Sequence, residues 1–464
     1  MTKYLLAGHF GPNDPYRPEP RDDVQMAQLD LGATPTQLAY GIGRTLADLR
    51  RMNVRPREIG IDLLVLAVHV HAADTRLNRV TCAQDSWTRE IILSVPVSDP
   101  ALWSGALPVL KTMLRFLTGD HWEIEFRSRP ERFRNLTPGE IPGLDRPAFD
   151  GVCLYSGGLD SLIGAIDEVV GGQWPLFVSY AGEGAVSRPQ ATLFEDMRTA
   201  LMRNAGANRQ MDRLRYAARF PTNLFPGVRP ENTTRARSFL FLAIGAAAGS
   251  GLGRDFELRI PENGFIALNV PLDPTRLGSA TTRTTHPFYI RRWRELLGLI
   301  GIPANVVNPY GGKTKGEMIT DCAAPDVLRR FIAQSVSCAH PSTGRFAGDR
   351  HSHCGTCVPC LIRRAAILSA YGPGQDPTGY RCEDLAARPL DAAKAEGQQV
   401  RGYQFALARL RERPDLAAIY IHKPGPLRED AENLTKFARV YTQGMREVGL
   451  LLQGVETFSS KMPG

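Results

Sequence analysis

The sequence predicts an α/β protein, and three observations indicate this fold class. A short apolar strand over residues 152–155 turns through two glycines into an amphipathic helix. Apolar runs of strand length lie before this segment, and stretches rich in Ala, Leu and Arg with helical character lie after it. The 464 residues are enough for two or three domains.

Residues 1–145 are predicted to form an α+β accessory domain. Two apolar runs and one alternating pattern indicate strands, at 61–70, at 91–97, and at Trp122, Ile124 and Phe126. Helical spacing relates Leu38, Ile42, Leu46 and Leu49. The Pro-rich segment TPGEIPGLDRPAFD then predicts a linker to the next domain.

Residues 146–370 are predicted to form the core domain, in which the run SGGLDS joins the strand to the helix. Its glycines lack Cβ atoms, so they permit a sharp turn and let successive backbone N–H groups converge on a phosphate. The run also supplies serine hydroxyl donors, and the helix dipole adds positive potential. Asp160 is expected to cap the helix and to hold Mg²⁺ beside the phosphates of ATP. The expected nucleotide contacts are Ser156, Gly157, Gly158, Leu159, Asp160 and Ser161.

A Gly-Gly turn with Asp or Ser as a helix cap, and with no ligand, is the alternative interpretation of this run. The complete context of strand, SGGxDS and helix favours a nucleotide site. The run lacks the GxxxxGK[ST] spacing of a Walker A loop, so a different class of ATP-consuming enzyme is indicated.

Four cysteines at short loop spacing predict a structural zinc site. Cys354, Cys357 and Cys360 form C-x2-C-x2-C, and Cys338 lies upstream of them. The sequence has no signal peptide or transmembrane run, so we expect a cytoplasmic protein in which clustered cysteines bind metal rather than pair. The neighbouring His340, His351 and His353 leave open the replacement of one cysteine as ligand.

These two motifs, with Leu361, Ile362, Arg363 and Arg364 after the last cysteine, resemble QueC, the 7-cyano-7-deazaguanine synthase. The resemblance covers about residues 150–370. It implies a Rossmann-like parallel sheet of the adenine nucleotide alpha hydrolase type, a PP-loop that cleaves ATP to AMP and pyrophosphate, and a four-cysteine zinc site. It also implies a substrate, 7-carboxy-7-deazaguanine, whose carboxylate is adenylated and converted to an amide and then to a nitrile.

The chain is longer than a compact QueC, because residues 1–145 and 371–464 flank the core. The second flank begins at a breaker-rich joint at 372–379 and is predicted to be mainly helical, around 383–413 and 431–453. Such an enlarged chain resembles the QatC class of bacterial anti-phage defence proteins. That resemblance implies a ligase that transfers the activated acid to an amine, the N-terminus of a partner protein encoded in the same operon.

Further site residues follow from the resemblance. Ser179 and Tyr180, at the end of the strand PLFVSY, are expected near the adenosine, although a strand-end hydroxyl and a buried ring are equally compatible with them. Arg237 is expected to clamp a phosphate, with Arg235 as the competing candidate and a surface ion pair as the alternative. Lys315 in GGKTKGEM is expected to reach the ATP phosphates, in preference to Lys313, and a solvated lysine is the alternative.

Two polar segments are candidates for substrate contact. Glu262 and Asn263 follow the strand FELRIP and match the guanidine-like edge of a deazapurine, although ENG is also an ordinary turn sequence. Thr285 and His286 close the loop TTRTTHP. They are candidates for substrate contact or for proton removal from the attacking amine, and an exposed loop histidine is the alternative.

The formal net charge of +8 fits ATP, pyrophosphate or an acidic partner, and it also fits RNA. The basic residues are dispersed and no aromatic stacking motif accompanies them, so nucleic acid is a minority expectation. Four functions stay open: the deazaguanine-transferring ligase, synthesis of the free nitrile base, modification of tRNA, and a non-catalytic scaffold with a vestigial nucleotide site.

Overall fold

The computed structural model describes residues 2–137, 148–182, 184–203, 210–272, 283–341 and 353–460. The predicted linker at 137–150 falls largely outside these ranges. Within them the chain forms two sheets of four and five strands and a small two-stranded ribbon, all with parallel pairing, together with 16 α-helices. The α/β class expected from the sequence is confirmed at this level.

The N-terminal sheet has the strand order β2-β1-β3-β4, and every neighbouring pair is parallel. Its elements are β1 (Lys3–His9), β2 (Val24–Asp30), α1 (Ile42–Arg51), α2 (Glu58–Arg76), α3 (Arg79–Cys82), β3 (Glu90–Val97), α4 (Pro100–Gly105), α5 (Leu107–Thr118) and β4 (His121–Ser128). The prediction of an α+β unit is therefore wrong, because helices cross over between parallel strands as in α/β folds. The strands expected at 91–97 and around Ile124 are confirmed.

The apolar run 61–70 is part of helix α2, so the prediction of a strand there is wrong. Every residue from 59 to 75 is buried, because α2 is packed between β3 and a helix of the core. A helix buried on all sides shows no amphipathic period, and its apolar run then resembles that of a buried strand. The expected helix at 38–49 begins only at Ile42, since Leu38 forms an antiparallel bridge with Gly32.

The central sheet has the order β7-β6-β5-β8-β9, again with all pairs parallel. Its strands and helices are β5 (Val152–Leu154), α6 (Leu159–Val170), β6 (Leu176–Tyr180), α7 (Gly184–Met202), β7 (Arg213–Tyr216), α8 (Arg237–Gly249), β8 (Phe256–Arg259), α9 (Gly264–Leu268), α10 (Pro287–Leu299), β9 (Ala304–Val307), α11 (Lys315–Thr320), α12 (Pro325–Phe331) and α13 (Val358–Tyr371). The chain moves outward from β5 through β6 to β7 and then returns to β8. The carboxyl ends of β5 and β8 therefore border a crevice where the strand order reverses.

The C-terminal segment is mainly helical, as expected. Its elements are β10 (Leu390–Asp391), α14 (Ala395–Glu412), α15 (Leu416–Tyr420), α16 (Leu434–Leu451) and β11 (Thr457–Phe458). α13 ends at Tyr371 and Gly372 follows with a positive φ of 88°, which places the predicted joint where the helix stops. No helix among the described residues is long and apolar enough to cross a membrane.

Three buried clusters hold these layers together. The first unites the N-terminal sheet, α2, α8 and one face of the central sheet, with Leu6, Val65 and Ile244 among its members. The second lies on the other face, between β5, α6, α7 and α11. The third joins α9 and α13 to the C-terminal helices. Apolar packing thus crosses both of the predicted boundaries, near 145 and near 370.

A buried network of charges locks α2 to its neighbours. Arg89 in the turn before β3 is fully buried and lies 2.8 Å from Asp74 and 2.6 Å from Asp120. Arg79 joins the network 2.8 Å from Asp120, and Asp74 also accepts the N–H of Ala236 just before α8 at 2.8 Å. Each charge is compensated, so the network satisfies the requirement for burying ions.

Replacing Asp74 by Ala is expected to lower the free energy of unfolding by about 3–5 kcal/mol, because Arg89 loses one of its two buried carboxylates. Urea unfolding followed by circular dichroism measures the change. The matched control is Glu123→Ala, which removes an exposed pair with Lys3 and should cost no more than about 1 kcal/mol. Equal effects of the two variants would contradict a specific role for the buried network.

Candidate functional site

The SGGLDS loop lies at the carboxyl end of β5, in the central position of the sheet. Gly157 has a φ of +80°, and a Cβ added there would lie 2.9 Å from the Gln190 side chain, so only glycine fits. The N–H of Gly157 donates to Ser161 Oγ at 3.1 Å, and the N–H of Gly158 donates to Ser156 Oγ at 3.3 Å. Backbone N–H groups and serine hydroxyls of the loop therefore lie together, as the sequence predicts.

Asp160 does not cap α6, so that part of the prediction is wrong. Gly158 occupies the N-cap position, and no side chain caps the helix. One oxygen of Asp160 accepts the backbone N–H of Asn263 at 3.1 Å and its side-chain amide at 2.6 Å. The other oxygen pairs with the ammonium of Lys315. Both oxygens of Asp160 are therefore engaged by neighbouring groups of the protein.

Lys315, and not Lys313, reaches the loop. The Lys315 side chain is buried against Asp160, whereas Lys313 is 40% exposed and pairs with Asp321 at 2.9 Å. The preference for Lys315 expected from the sequence agrees with this placement. The ammonium of Lys315 provides a positive charge next to the converging donors of the loop, which is the environment that a phosphate requires.

Helix α11, which begins with Lys315, is held in place by the C-terminal helix α16. A capping box closes its first turn: Thr314 Oγ1 accepts the N–H of Glu317 at 3.2 Å, and Glu317 accepts the N–H of Thr314 at 2.8 Å. The buried Glu447 of α16 accepts the Thr314 hydroxyl, and Arg439 of α16 pairs with Glu317. A Cβ on Gly316 would lie 2.8 Å from the Glu447 carboxylate, so glycine permits this approach.

Glu262 and Asn263 extend from the end of β8 toward the loop. Asn263 caps α9 by accepting the N–H of Ile266 at 3.0 Å, while its amide group donates to Asp160. Glu262 accepts the hydroxyl of Thr285. Burial raises the pKa of Glu262 to about 7; the Thr285 hydrogen bond opposes the shift, and the nearby negative charge of Asp160 adds to it.

His286 is a buried helix cap, not an exposed loop residue. Its Nδ1 accepts the N–H of Phe288 at 3.2 Å at the start of α10, and its ring lies 5.3 Å from that of Phe116. Burial lowers the pKa of His286 to about 3, and the charge of Arg283 adds to that shift. With Nδ1 accepting, the neutral ring carries its proton on Nε2, so the expected role in proton removal is wrong.

Ser179 and Tyr180, at the end of β6, contact different parts of the chain. Ser179 is buried, and its hydroxyl donates to the carbonyl of Tyr155 at 2.8 Å. The Tyr180 hydroxyl lies 2.9 Å from Nε2 of His71 on α2. The sequence does not indicate a role for His71, because the apolar run 61–70 before it resembles a strand and no motif includes this histidine.

The two candidate arginines before α8 differ in their surroundings. The Arg235 guanidinium stacks 4.0 Å from the Trp87 ring, and burial lowers its pKa to about 10. Arg237 is exposed at the start of α8, and its positive charge contributes to the lowered pKa of His71. Arg237 therefore lies near the His71–Tyr180 pair, at the carboxyl end of β6.

The four predicted cysteines come together, with all four Sγ atoms within 4.8 Å of one another. The Cys338–Cys357 and Cys354–Cys360 sulfur pairs are each 3.9 Å apart. A tetrahedral zinc site with bonds of about 2.3 Å requires sulfur separations of about 3.8 Å. Backbone N–H groups of His340 and Cys354 also point at Cys338 Sγ, at 3.3 and 3.4 Å. These residues fit a metal such as zinc.

The histidines do not displace a cysteine in the described part of the chain. His353 Nε2 accepts the N–H of Ser337 at 3.2 Å, which turns its ring to the backbone. Burial, together with the charge of Arg363, lowers the pKa of His353 to about 3. His351 lies outside the described residues.

The cysteine cluster and the SGGLDS loop share one segment, which the sequence did not reveal. Ser337, next to Cys338, accepts the N–H of Leu159 at 3.3 Å, and Val336 donates to the carbonyl of Gly157 at 3.0 Å. The fully buried Arg363 supports this segment by donating to Ser335 Oγ at 2.8 Å. A metal bound by Cys338 would therefore hold one wall of the loop.

A cavity of about 1220 Å³ opens beside the cysteine cluster. Helix α9 forms one wall with Phe265, and the C-terminal segment forms another with Tyr403 and Arg388. Because Asn263 at the start of α9 is bonded to Asp160, this wall is anchored to the loop.

No protein-family model matches the chain, and no curated protein matches it closely enough to indicate a relationship.

Replacing Cys357 by Ser is expected to abolish binding of about one zinc ion per chain, because three thiolates leave the tetrahedral site open. Elemental analysis of purified protein gives the metal content. Cys382→Ser is the matched control, since Cys382 lies outside the four-sulfur group. Full metal content in the Cys357 variant, or its loss in both, would contradict this assignment.

Replacing Ser337 by Ala is expected to keep the metal but to speed amide hydrogen exchange across residues 155–160. The variant removes the acceptor of the Leu159 N–H while leaving all four sulfurs in place. Mass spectrometry of peptides covering the loop measures the exchange, and Cys357→Ser should produce the same acceleration together with metal loss. Unchanged exchange in both variants would show that the metal segment does not support the loop.

Proposed function

We propose that the chain is a QueC-like ATP-dependent C–N ligase that adenylates 7-carboxy-7-deazaguanine, releases pyrophosphate and transfers the acyl group to an amine. The observation that carries the proposal is the buried Lys315–Asp160 pair at the SGGLDS loop. It brings a cation to a glycine-rich turn at the carboxyl end of the central strand, where α/β folds bind nucleotides.

The phosphate-binding role is assigned to the loop and Lys315. Ser156, Gly157, Gly158, Leu159 and Ser161 supply hydroxyl and backbone donors, and Lys315 offsets negative charge on the pyrophosphate that leaves. The N–H groups are bonded to rotatable serine hydroxyls, so phosphate oxygens can replace those acceptors without moving the backbone. Arg237, near Tyr180, is a second candidate cation. Mg²⁺ is expected to accompany ATP, and the structure assigns it no ligand.

The choice of a deazaguanine acid rests on the two motifs together. SGGLDS followed by the four-cysteine cluster resembles the pattern of the QueC family, and the contact between Ser337, next to Cys338, and the loop supports the assignment of both motifs to one site. Asn263 supplies an amide group beside the loop, which suits recognition of the heterocycle's polar edge, and the hydrogen-bonded Glu262 and Thr285 adjoin it.

The acceptor is proposed to be the N-terminal amine of a partner protein encoded in the same operon, in anti-phage defence. The cavity beside the cysteine cluster supports this acceptor, because its volume exceeds what ammonia requires. Its second wall comes from the C-terminal segment, which a compact QueC would lack.

The test is pyrophosphate exchange into ATP that depends on 7-carboxy-7-deazaguanine. Lys315→Met is expected to lower the exchange rate by about 10²–10³-fold, because an oriented charge at the departing phosphates is lost. Lys313→Met, two residues away and bonded to Asp321, should leave the rate unchanged.

Each outcome separates the functions. Absence of pyrophosphate exchange in the unaltered protein would overturn the proposed adenylating ligase. An Asp160→Ala variant that keeps the full activity of the unaltered protein would favour a scaffold. Exchange that depends on tRNA would favour an RNA-modifying enzyme. Where exchange occurs, the product decides the acceptor: a mass increase on a co-expressed partner supports protein transfer, and free nitrile base supports synthase activity.

A further inference from the structure

Two carboxylates face the same end of the central sheet, and the structure uses them differently. Both oxygens of Asp160 already have partners, because one pairs with Lys315 and the other accepts two hydrogen bonds from Asn263. Glu262 receives the Thr285 hydroxyl, and none of the described residues places a cation within ion-pair distance of it. Glu262 therefore keeps an oxygen that a proton can reach.

The position of Glu262 places it at the reaction centre of the proposed ligase. It follows β8, which pairs with β5, so it lies at the same edge of the sheet as the SGGLDS loop. The charges of both Asp160 and Lys315 act on it. Its backbone N–H lies 3.4 Å from the Asn308 amide oxygen, in the segment after β9, so this segment contacts the residue as well.

The protonation behaviour of Glu262 suits proton transfer near neutral pH. Burial raises its pKa to about 7, and the Thr285 hydrogen bond limits the shift because it stabilises the charged form. A base is most effective when its pKa lies near the working pH. His286, the other titratable candidate nearby, is held neutral with its free nitrogen protonated and cannot accept the proton.

We propose that Glu262 is the general base that accepts a proton from the amine as it attacks the acyl adenylate. This inference rests on the proposed ligase function. The amine nitrogen forms a bond to the acyl carbon, the bond from that carbon to the AMP oxygen breaks, and AMP leaves with the electron pair. The proton of the new ammonium group passes to the Glu262 carboxylate, and the neutral amide remains.

The decisive comparison uses nucleophiles that differ in their need for a base. Glu262→Gln removes the proton acceptor but keeps the shape of the side chain. With ATP and 7-carboxy-7-deazaguanine, amide formation from ammonium or glycinamide is expected to fall about 10²–10⁴-fold. Hydroxamate formation from hydroxylamine is expected to fall less than about tenfold, because its weakly basic nitrogen gives a more acidic ammonium group after attack, and water can accept that proton.

Glu257→Gln is the matched control, because Glu257 is a partly exposed carboxylate on β8, the strand that precedes Glu262, and pairs with Arg259. It should leave both products unchanged. Equal losses of amide and hydroxamate in Glu262→Gln would overturn the proposal, since they would indicate a role in substrate binding. Amide formation at the unaltered rate would overturn it as well.

A second variant tests the same idea if Glu262→Gln does not fold. Thr285→Val removes a hydrogen bond that favours the ionised carboxylate, so the pKa of Glu262 should rise. Because the base acts in its ionised form, the rate of amide formation increases with pH through this pKa. The rising limb should therefore move to higher pH, and an unmoved limb would overturn the assignment.

The underlying function fails in a distinguishable way. If the unaltered protein shows no pyrophosphate exchange that depends on 7-carboxy-7-deazaguanine, the proposed ligase function is wrong. If exchange and hydroxamate formation occur but neither amine gives an amide, the acceptor is not an amine. The proposed role of Glu262 would then be wrong as well.

Discussion

The buried ion pair between Asp160 and Lys315 is the contact on which the rest of the site depends. A carboxylate and an ammonium are costly to bury, and each is tolerated because the other compensates it. Asp160 lies in the first turn of α6 after the glycine loop, and Lys315 begins α11, about 155 residues later in the chain. The pair therefore ties the loop to the far side of the crevice. Asn263 adds β8 and α9 to the same carboxylate.

The flanking segments act on this pair through direct contacts. Glu447 and Arg439 of α16 hold the first turn of α11, so the C-terminal helix helps to set the position of Lys315. On the other side, α2 places His71 against Tyr180 at the end of β6. The cysteine cluster is connected to the loop through Ser337, next to Cys338, whose hydroxyl accepts the N–H of Leu159, the first residue of α6. Direct contacts thus connect the loop, the cysteine segment and both flanks, and hydrophobic packing also crosses the expected domain boundaries.

Three side chains show why pattern alone misjudges polar roles. Asp160 has the residue type and position of a helix cap, yet a nearby ammonium and two amide groups compete for its oxygens more strongly. His286 lies in a polar loop sequence, yet its ring is buried against Phe116, and this burial lowers the pKa of the imidazole. Glu262 lies in a turn-like ENG sequence, yet burial raises its pKa, and the negative charge of Asp160 adds to the shift. In each case the deciding quantity is solvation, which depends on residues distant in sequence.

The sequence by itself determined the local features: the strand, glycine turn and helix around SGGLDS, and the four-cysteine spacing. These depend on backbone conformation and on ligand spacing within short segments, which neighbouring residues control. Only the tertiary structure decided that 61–70 is a helix, that the N-terminal sheet is parallel, and that the segment before Cys338 contacts the loop. Those features arise from burial and from contacts between distant segments, and a run such as 61–70 has the same apolar composition in either conformation. The candidate proton acceptor belongs to this second group, because its chemistry comes from the charges and the burial that surround it.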